Sequence, residues 1–195
     1  MAHQSLNQSI SYRVPSLARA VATGAVGFAI VSVCVFATVA FAEGWMYRNL
    51  GRLGAYLAWT VLFILLSGAV FGSLVTGRWR LPKFYLLWTI AFFAYAAAWM
   101  VAYFTLGRTR GGLVGALVGS ILMAVVLAAG FGSLSSIGKV SGVIFVGNAL
   151  GYFLGAAILD SSHTPLGMLL FGVVYGLFFG AGIGAALHFV QKPQR

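Results

Sequence analysis

Asn148 and Tyr152 stand four residues apart within 140–159, a run that holds no Asp, Glu, Lys or Arg. Four residues is close to one helical turn, so a helix puts both side chains on one face. A carboxamide near mid-span must find hydrogen-bond partners for its NH2 and its carbonyl oxygen. Two chemistries follow from that demand. Asn148 bonds to neighbouring helices, or with Tyr152 it binds a small polar solute. Thr60, Ser67 and Ser120 are further hydroxyls that such an interior would use.

Other chemistry is sparse. The two carboxylates, Glu43 and Asp160, fall in different connections. No apolar run carries an Asp, Glu, Lys or Arg that would serve as a proton relay or counter-ion. Cys34 is the single cysteine, which excludes an intrachain disulfide and a thiolate metal cluster. It reads as a small buried hydrophobe. His3, His163 and His188 show no H-x-x-x-H or H-E-x-x-H spacing, so no metal site is expected. His188 is a weak cofactor candidate, as an axial ligand to a porphyrin metal, with interfacial histidine as the plainer reading. Ser133, Ser135 and Ser136 sit near glycines but lack a G-x-S-x-G elbow and a base. The Gly180-Ala181-Gly182-Ile183-Gly184 run follows no strand, so it is not a nucleotide loop. Asn7-Gln8-Ser9 matches a glycosylation sequon but lies on the side expected to be internal. No catalytic residue is identified, and the chain is not read as an enzyme.

The elements that carry these residues follow from composition. Of 195 residues 61% are hydrophobic and 7% charged, against about 25% charged in an average soluble domain. Six runs free of Asp, Glu, Lys and Arg are each long enough for the roughly 20 residues that span a bilayer. They predict helices near 20–42, 53–76, 84–106, 112–134, 140–160 and 165–190. The expected fold is an all-α integral membrane protein, a six-transmembrane-helix bundle over 20–190. A polar N-terminal segment, 1–19, precedes it, and a short basic tail, 191–195, follows. Arg13 and Arg19 before an apolar run ending Ala40-Phe41-Ala42 resemble a cleavable signal. The reading taken forward is an uncleaved first span.

The net charge of +10 is dispersed among the span ends rather than concentrated in a stretch that tracks a nucleic-acid backbone. With six spans, eight Lys and Arg fall on the side of the N-terminus and four on the other. That bias predicts both termini in the cytoplasm, in a bacterial inner membrane or an equivalent energy-coupling membrane. Arg78, Trp79, Arg80 and Lys83 form an expected membrane-surface anchor, because aromatic rings and cations favour the headgroup layer.

Shifting the chain by 60 aligns 48–74 with 108–134 at ten of 27 identical positions, including the block Phe71-Gly72-Ser73-Leu74 with Phe131-Gly132-Ser133-Leu134. A two-helix unit keeps its orientation, so three hairpins related about the membrane normal are expected. Glycine recurs every fourth residue at Gly111, Gly115 and Gly119, at Gly147, Gly151 and Gly155, and at Gly172, Gly176, Gly180 and Gly184. Such strips let helix backbones approach where burial alone gives no driving force. They predict a tight cluster of the last three helices, while 84–106 offers a bulky aromatic face to lipid or a partner. A subunit interface, or a groove for bound lipid or a rigid apolar pigment, is the alternative use of a strip. The functional expectation is a non-catalytic accessory or scaffold subunit, joined to other membrane subunits or to copies of itself. A small-solute channel or transporter component with a path near Asn148 is the second reading.

Overall fold

The computed structural model describes residues 13–192. His3, the Asn7-Gln8-Ser9 sequon and Arg195 lie outside the described residues. Among the described residues all regular structure is helical: α1 (Leu17–Phe71), α2 (Arg80–Leu106), α3 (Arg108–Phe131), a 3-10 turn Leu134–Ser136, α4 (Ile137–Ser162) and α5 (Pro165–Gln191). All five α-helices are long and apolar enough to cross a bilayer, the architecture of a multi-pass membrane protein.

The helix ends have local causes. Ser16, in extended backbone, accepts a hydrogen bond from the Arg19 N–H and starts α1 three residues before the charge-free run. Thr164 caps α5 by accepting from the Gly167 N–H at 3.1 Å, with Pro165 at the first helical position. α3 stops where Gly132 turns left-handed.

A straight helix of 55 residues would reach about 82 Å, far beyond a hydrocarbon core of about 30 Å. α1 is not straight. Gly51 sits at φ 68°, ψ 173°, a conformation essentially confined to glycine. The arms on either side, 17–50 and 52–71, fold back on each other. The Phe28 ring lies 5.2 Å from those of both Phe63 and Phe71, and the Tyr47 ring 5.9 Å from that of Trp59. The expected connection at 43–52 therefore shrinks to one glycine, and Glu43 and Arg48 are helical. Charged residues near a span end are tolerated because their heads reach the interface.

Positive backbone φ recurs at Gly51, Gly107 and His163, each 56 residues after the last. These turns mark one end of the bundle. The other end gathers Ser16, Thr76, Phe131 and Gln191. Its contacts include Thr76 with Gln191, Lys83 over the Phe131 ring at 4.2 Å, and Lys139 over the Phe189 ring at 5.3 Å. Within the bundle α5 lies between the first arm of α1 and α4, α2 pairs with α3, and α3 touches α4. Phe28, Phe71, Phe84 and Trp88 meet in the core together with Met123, Leu127, Ile144 and Ile183.

Several expectations change. Cys34 is exposed, because the buried stripe of its arm runs through Ala20, Gly24, Phe28, Val31 and Val35 instead. The 84–106 helix does turn Leu86, Phe93 and Phe104 outward, but Phe84 and Trp88 are core residues. The two Phe-Gly-Ser-Leu blocks are not equivalent. Gly72 is right-handed and buried, closed in by the Gly68 carbonyl and Leu81, whereas Gly132 is left-handed and exposed. Identity at these four positions reflects a shared need to end a helix, met by two different caps.

Candidate functional site

Asn148 is buried at the middle of α4, and side chains from two other helices meet it. Its Nδ2 donates to the Tyr95 hydroxyl of α2 at 2.7 Å, and the Tyr175 hydroxyl of α5 donates to its Oδ1 at 3.3 Å. The carboxamide is therefore engaged at both ends by its own bundle. Tyr175 stacks on Phe171 and Phe179, so the polar contact is walled by aromatic rings. Tyr152, the residue four along on the helix, is half-buried with its ring edge-on to Trp99 and Phe171. Of the other hydroxyls, Ser67 donates to the Phe63 carbonyl of its own helix at 2.6 Å. Ser120 is buried with no hydrogen-bond partner. Spacing alone pointed to Asn148 but not to Tyr95 or Tyr175, which are distant in sequence. A tyrosine near the centre of each of two other spans was the available signal.

The three glycine strips face three different neighbours. On α5, a Cβ at Gly180 or Gly184 would collide with backbone of Gly24 or Ala20, one at Gly176 would lie 2.5 Å from Ala29 Cα, and Gly172 faces Phe36. This strip seats the first arm of α1. On α4, Gly147, Gly151 and Gly155 lie against Phe178, Tyr175 and Phe171 of α5. On α3, Gly111 and Gly115 meet the backbone of α2 at Ala102, Tyr103 and Trp99, and Gly119 meets the Tyr95 ring. Of the expected cluster of the last three helices, α4 packs on α5 through its strip and α3 touches α4, but the strips of α3 and α5 are used elsewhere. The α3 strip serves α2, and α5 uses its strip for α1 while it meets α4 through Gly182. A small-residue face fixes how closely a neighbour comes, not which neighbour comes.

His188 does not stand in a ligand pocket. Its Nδ1 donates to the Pro15 carbonyl at 2.8 Å and ties the segment before α1 to the last turn of α5. Three residues later, on the same helix face, Gln191 holds the loop between α1 and α2. Its Oε1 accepts from the Thr76 N–H at 2.8 Å and hydroxyl at 3.1 Å, and its Nε2 donates to the Leu74 and Leu187 carbonyls. Gln191, assigned from sequence to the short basic tail, is a clamp. Arg78, Trp79 and Arg80 are exposed at the start of α2, while Lys83 is half-buried over Phe131. No group of three or more metal-ligating side chains occurs among the described residues.

Two shallow apolar grooves mark the outer surface. One, of about 550 Å³, runs between α2 and α3 past Ala94, Ala98, Val101 and Val118. The other, of about 490 Å³, runs between α4 and α5 past Gly142, Val146, Phe178 and Ala181. Compared with protein-family models, curated proteins and solved structures, the chain shows no match.

Proposed function

We propose that the chain is a non-catalytic integral membrane protein of six crossings, arranged as three hairpins, that serves as an accessory or scaffold subunit of a larger membrane assembly. The observation that carries this reading is the engagement of Asn148 by Tyr95 and Tyr175. A solute path needs mid-span polar groups free to exchange partners. Here the central carboxamide is 1% exposed and bonded at both ends, and it lines neither groove. The close backbone approaches along Gly24, Gly147, Gly176 and Gly180 describe a filled, rigid interior. Such a body offers its work outward, through exposed Phe93, Val101 and Phe104 and the groove beside them.

Six crossings are supported by the fold-back at Gly51, since the 52–71 arm matches the roughly 20 residues of a span. The equal spacing of Gly51, Gly107 and His163 supports three hairpins. Among the described residues, seven Lys and Arg lie at the Thr76 end and four at the other, a bias that supports a cytoplasmic Thr76 end.

Two measurements test the reading. With Cys34→Ser as background, cysteines at Arg13, Arg78 and Lys192 should react with impermeant reagents from one side, and a cysteine at Thr109 from the other. Labelling of positions 13 and 192 from opposite sides would overturn six crossings. Native mass measurement in mild detergent should give a species heavier than the 20.6 kDa chain. A bare monomer under all mild conditions would overturn the subunit role.

A further inference from the structure

A cavity of about 540 Å³ opens at the Thr76 end, lined by Arg13, Ser16, Arg19, Ser73, Thr76 and Arg80 among others. Three arginines thus line it from two segments far apart in sequence, the entry to α1 and the entry to α2. The chain has only two carboxylates. Glu43 lies 26 residues into α1 and Asp160 at the far end of α4, so neither sits at this end of the bundle. Among the described residues, no carboxylate side chain lies at this end of the bundle beside the three arginines.

The cavity is also built rather than incidental. One wall, the segment before α1, is tied to α5 through Pro15 and His188. The opposite wall, the loop before α2, is tied to α5 through Leu74, Thr76 and Gln191. Both ties hold the arginine-bearing backbones at a fixed separation. α1 and α2 each begin here, so two positive helix ends add to the potential. The Ser16 oxygen accepts from the Arg19 N–H, which leaves its hydroxyl proton to donate. Planar guanidinium forks match the oxygens of a phosphate in bidentate fashion.

We infer that the cavity lined by Arg13, Arg19 and Arg80 binds a phosphate group at the membrane surface. An anionic phospholipid headgroup and a free phosphate share this chemistry. The exposed Trp79 and Leu81 beside Arg80 place the site at headgroup level, and a volume of this size is within the range of small-ligand sites.

The test uses the full chain in a non-ionic detergent, titrated separately with phosphatidylglycerol, phosphatidylcholine and inorganic phosphate while the melting temperature is followed. Phosphatidylglycerol or inorganic phosphate should raise it, and phosphatidylcholine should not. A response to phosphatidylglycerol alone identifies a lipid site, and a saturable response to inorganic phosphate identifies a free-anion site. The triple variant R13Q/R19Q/R80Q should weaken the responding ligand at least 10-fold. The control R48Q/R52Q/R110Q, which removes the same number of charges at the other end, should stay within twofold. Melting without ligand verifies that both variants are folded. No response of the wild type to either anion overturns the site, as does an equal loss in the two variants, which would indicate net charge alone.

Discussion

The Nδ2 of Asn148 on α4 and the hydroxyl of Tyr95 on α2 meet at 2.7 Å, although α2 and α4 share no extended contact. The bond joins α2 to α4 inside the bundle, where both side chains are largely withdrawn from the surface. Interhelical bonds of this kind average about 0.6 kcal/mol, with about 1.7 kcal/mol at the upper end. A cycle of Asn148→Leu, Tyr95→Phe and the double variant, read by unfolding in detergent, should give a coupling in this range. Zero coupling would mean that the two residues are merely adjacent.

The same substitution should change sign with position. Gly142 and Gly44 are helical glycines where an added Cβ meets nothing within 4 Å. Gly142→Ala and Gly44→Ala should stabilise by up to about 1 kcal/mol through helix propensity. Gly180→Ala drives a methyl into the Gly24 carbonyl and the Phe28 Cβ, and should destabilise by about 1–3 kcal/mol. Gly176→Leu and Gly180→Leu should be worse still, with loss of intact protein, whereas Val173→Leu should be mild. Equal behaviour of Gly142→Ala and Gly180→Ala would remove the packing account of the strip.

Gly51 should resist any side chain. Its φ of 68° and ψ of 173° carry a penalty of about 1–3 kcal/mol for other residues. Gly51→Ala should lower the melting temperature, and Gly107→Ala, at φ 81° and ψ 173°, should do the same. Gly44→Ala, seven residues before the turn, is the control. A melting temperature unchanged by Gly51→Ala would show that the turn accommodates other backbone angles.

Gln191 predicts a protease phenotype. Gln191→Ala removes three hydrogen bonds to the loop before α2, at Leu74 and Thr76. Each contributes on the order of 0.5–1.5 kcal/mol. Where cleavage follows the open population, a loss of about 1.4 kcal/mol speeds it about 10-fold. Tryptic cleavage after Arg78 should accelerate to that extent, while cleavage after Arg110 should not. Equal acceleration at both positions would point to general destabilisation instead of a local clamp.

The helical, bilayer-spanning character was legible because charge is absent over long runs, and the solvent imposes that requirement on every span. The importance of Asn148 was legible for the same reason, as an amide where water is missing. Its partners were not. Tyr152 shares its helix face, but Tyr95 and Tyr175 reach it only once α2 and α5 have docked. The glycine strips showed the same limit, since Gly111 and Gly176 announce a close approach without naming Tyr103 or Ala29 as the neighbour. The helical path through Glu43 and Arg48 was hidden because charge marks the end of a hydrocarbon crossing, not the end of a helix. His188 and Gln191 looked like surface residues because the backbone groups they hold, at Pro15, Leu74 and Thr76, are invisible to side-chain pattern.

The seat that α5 provides for the first arm of α1 has a consequence for biogenesis. The face of that arm around Gly24 and Ala29 is covered by Gly176, Gly180 and Gly184, which a ribosome makes roughly 150 residues later. At about 5–20 residues per second, that interval is about 8–30 s. Throughout it the first arm of α1 keeps its smoothest surface uncovered. α2 and α3 arrive first but carry their own glycine contact between them, Gly111 and Gly115 against α2. Self-sealing of the α2–α3 pair leaves the early surface to α5, and the bundle closes only once α5 has been made.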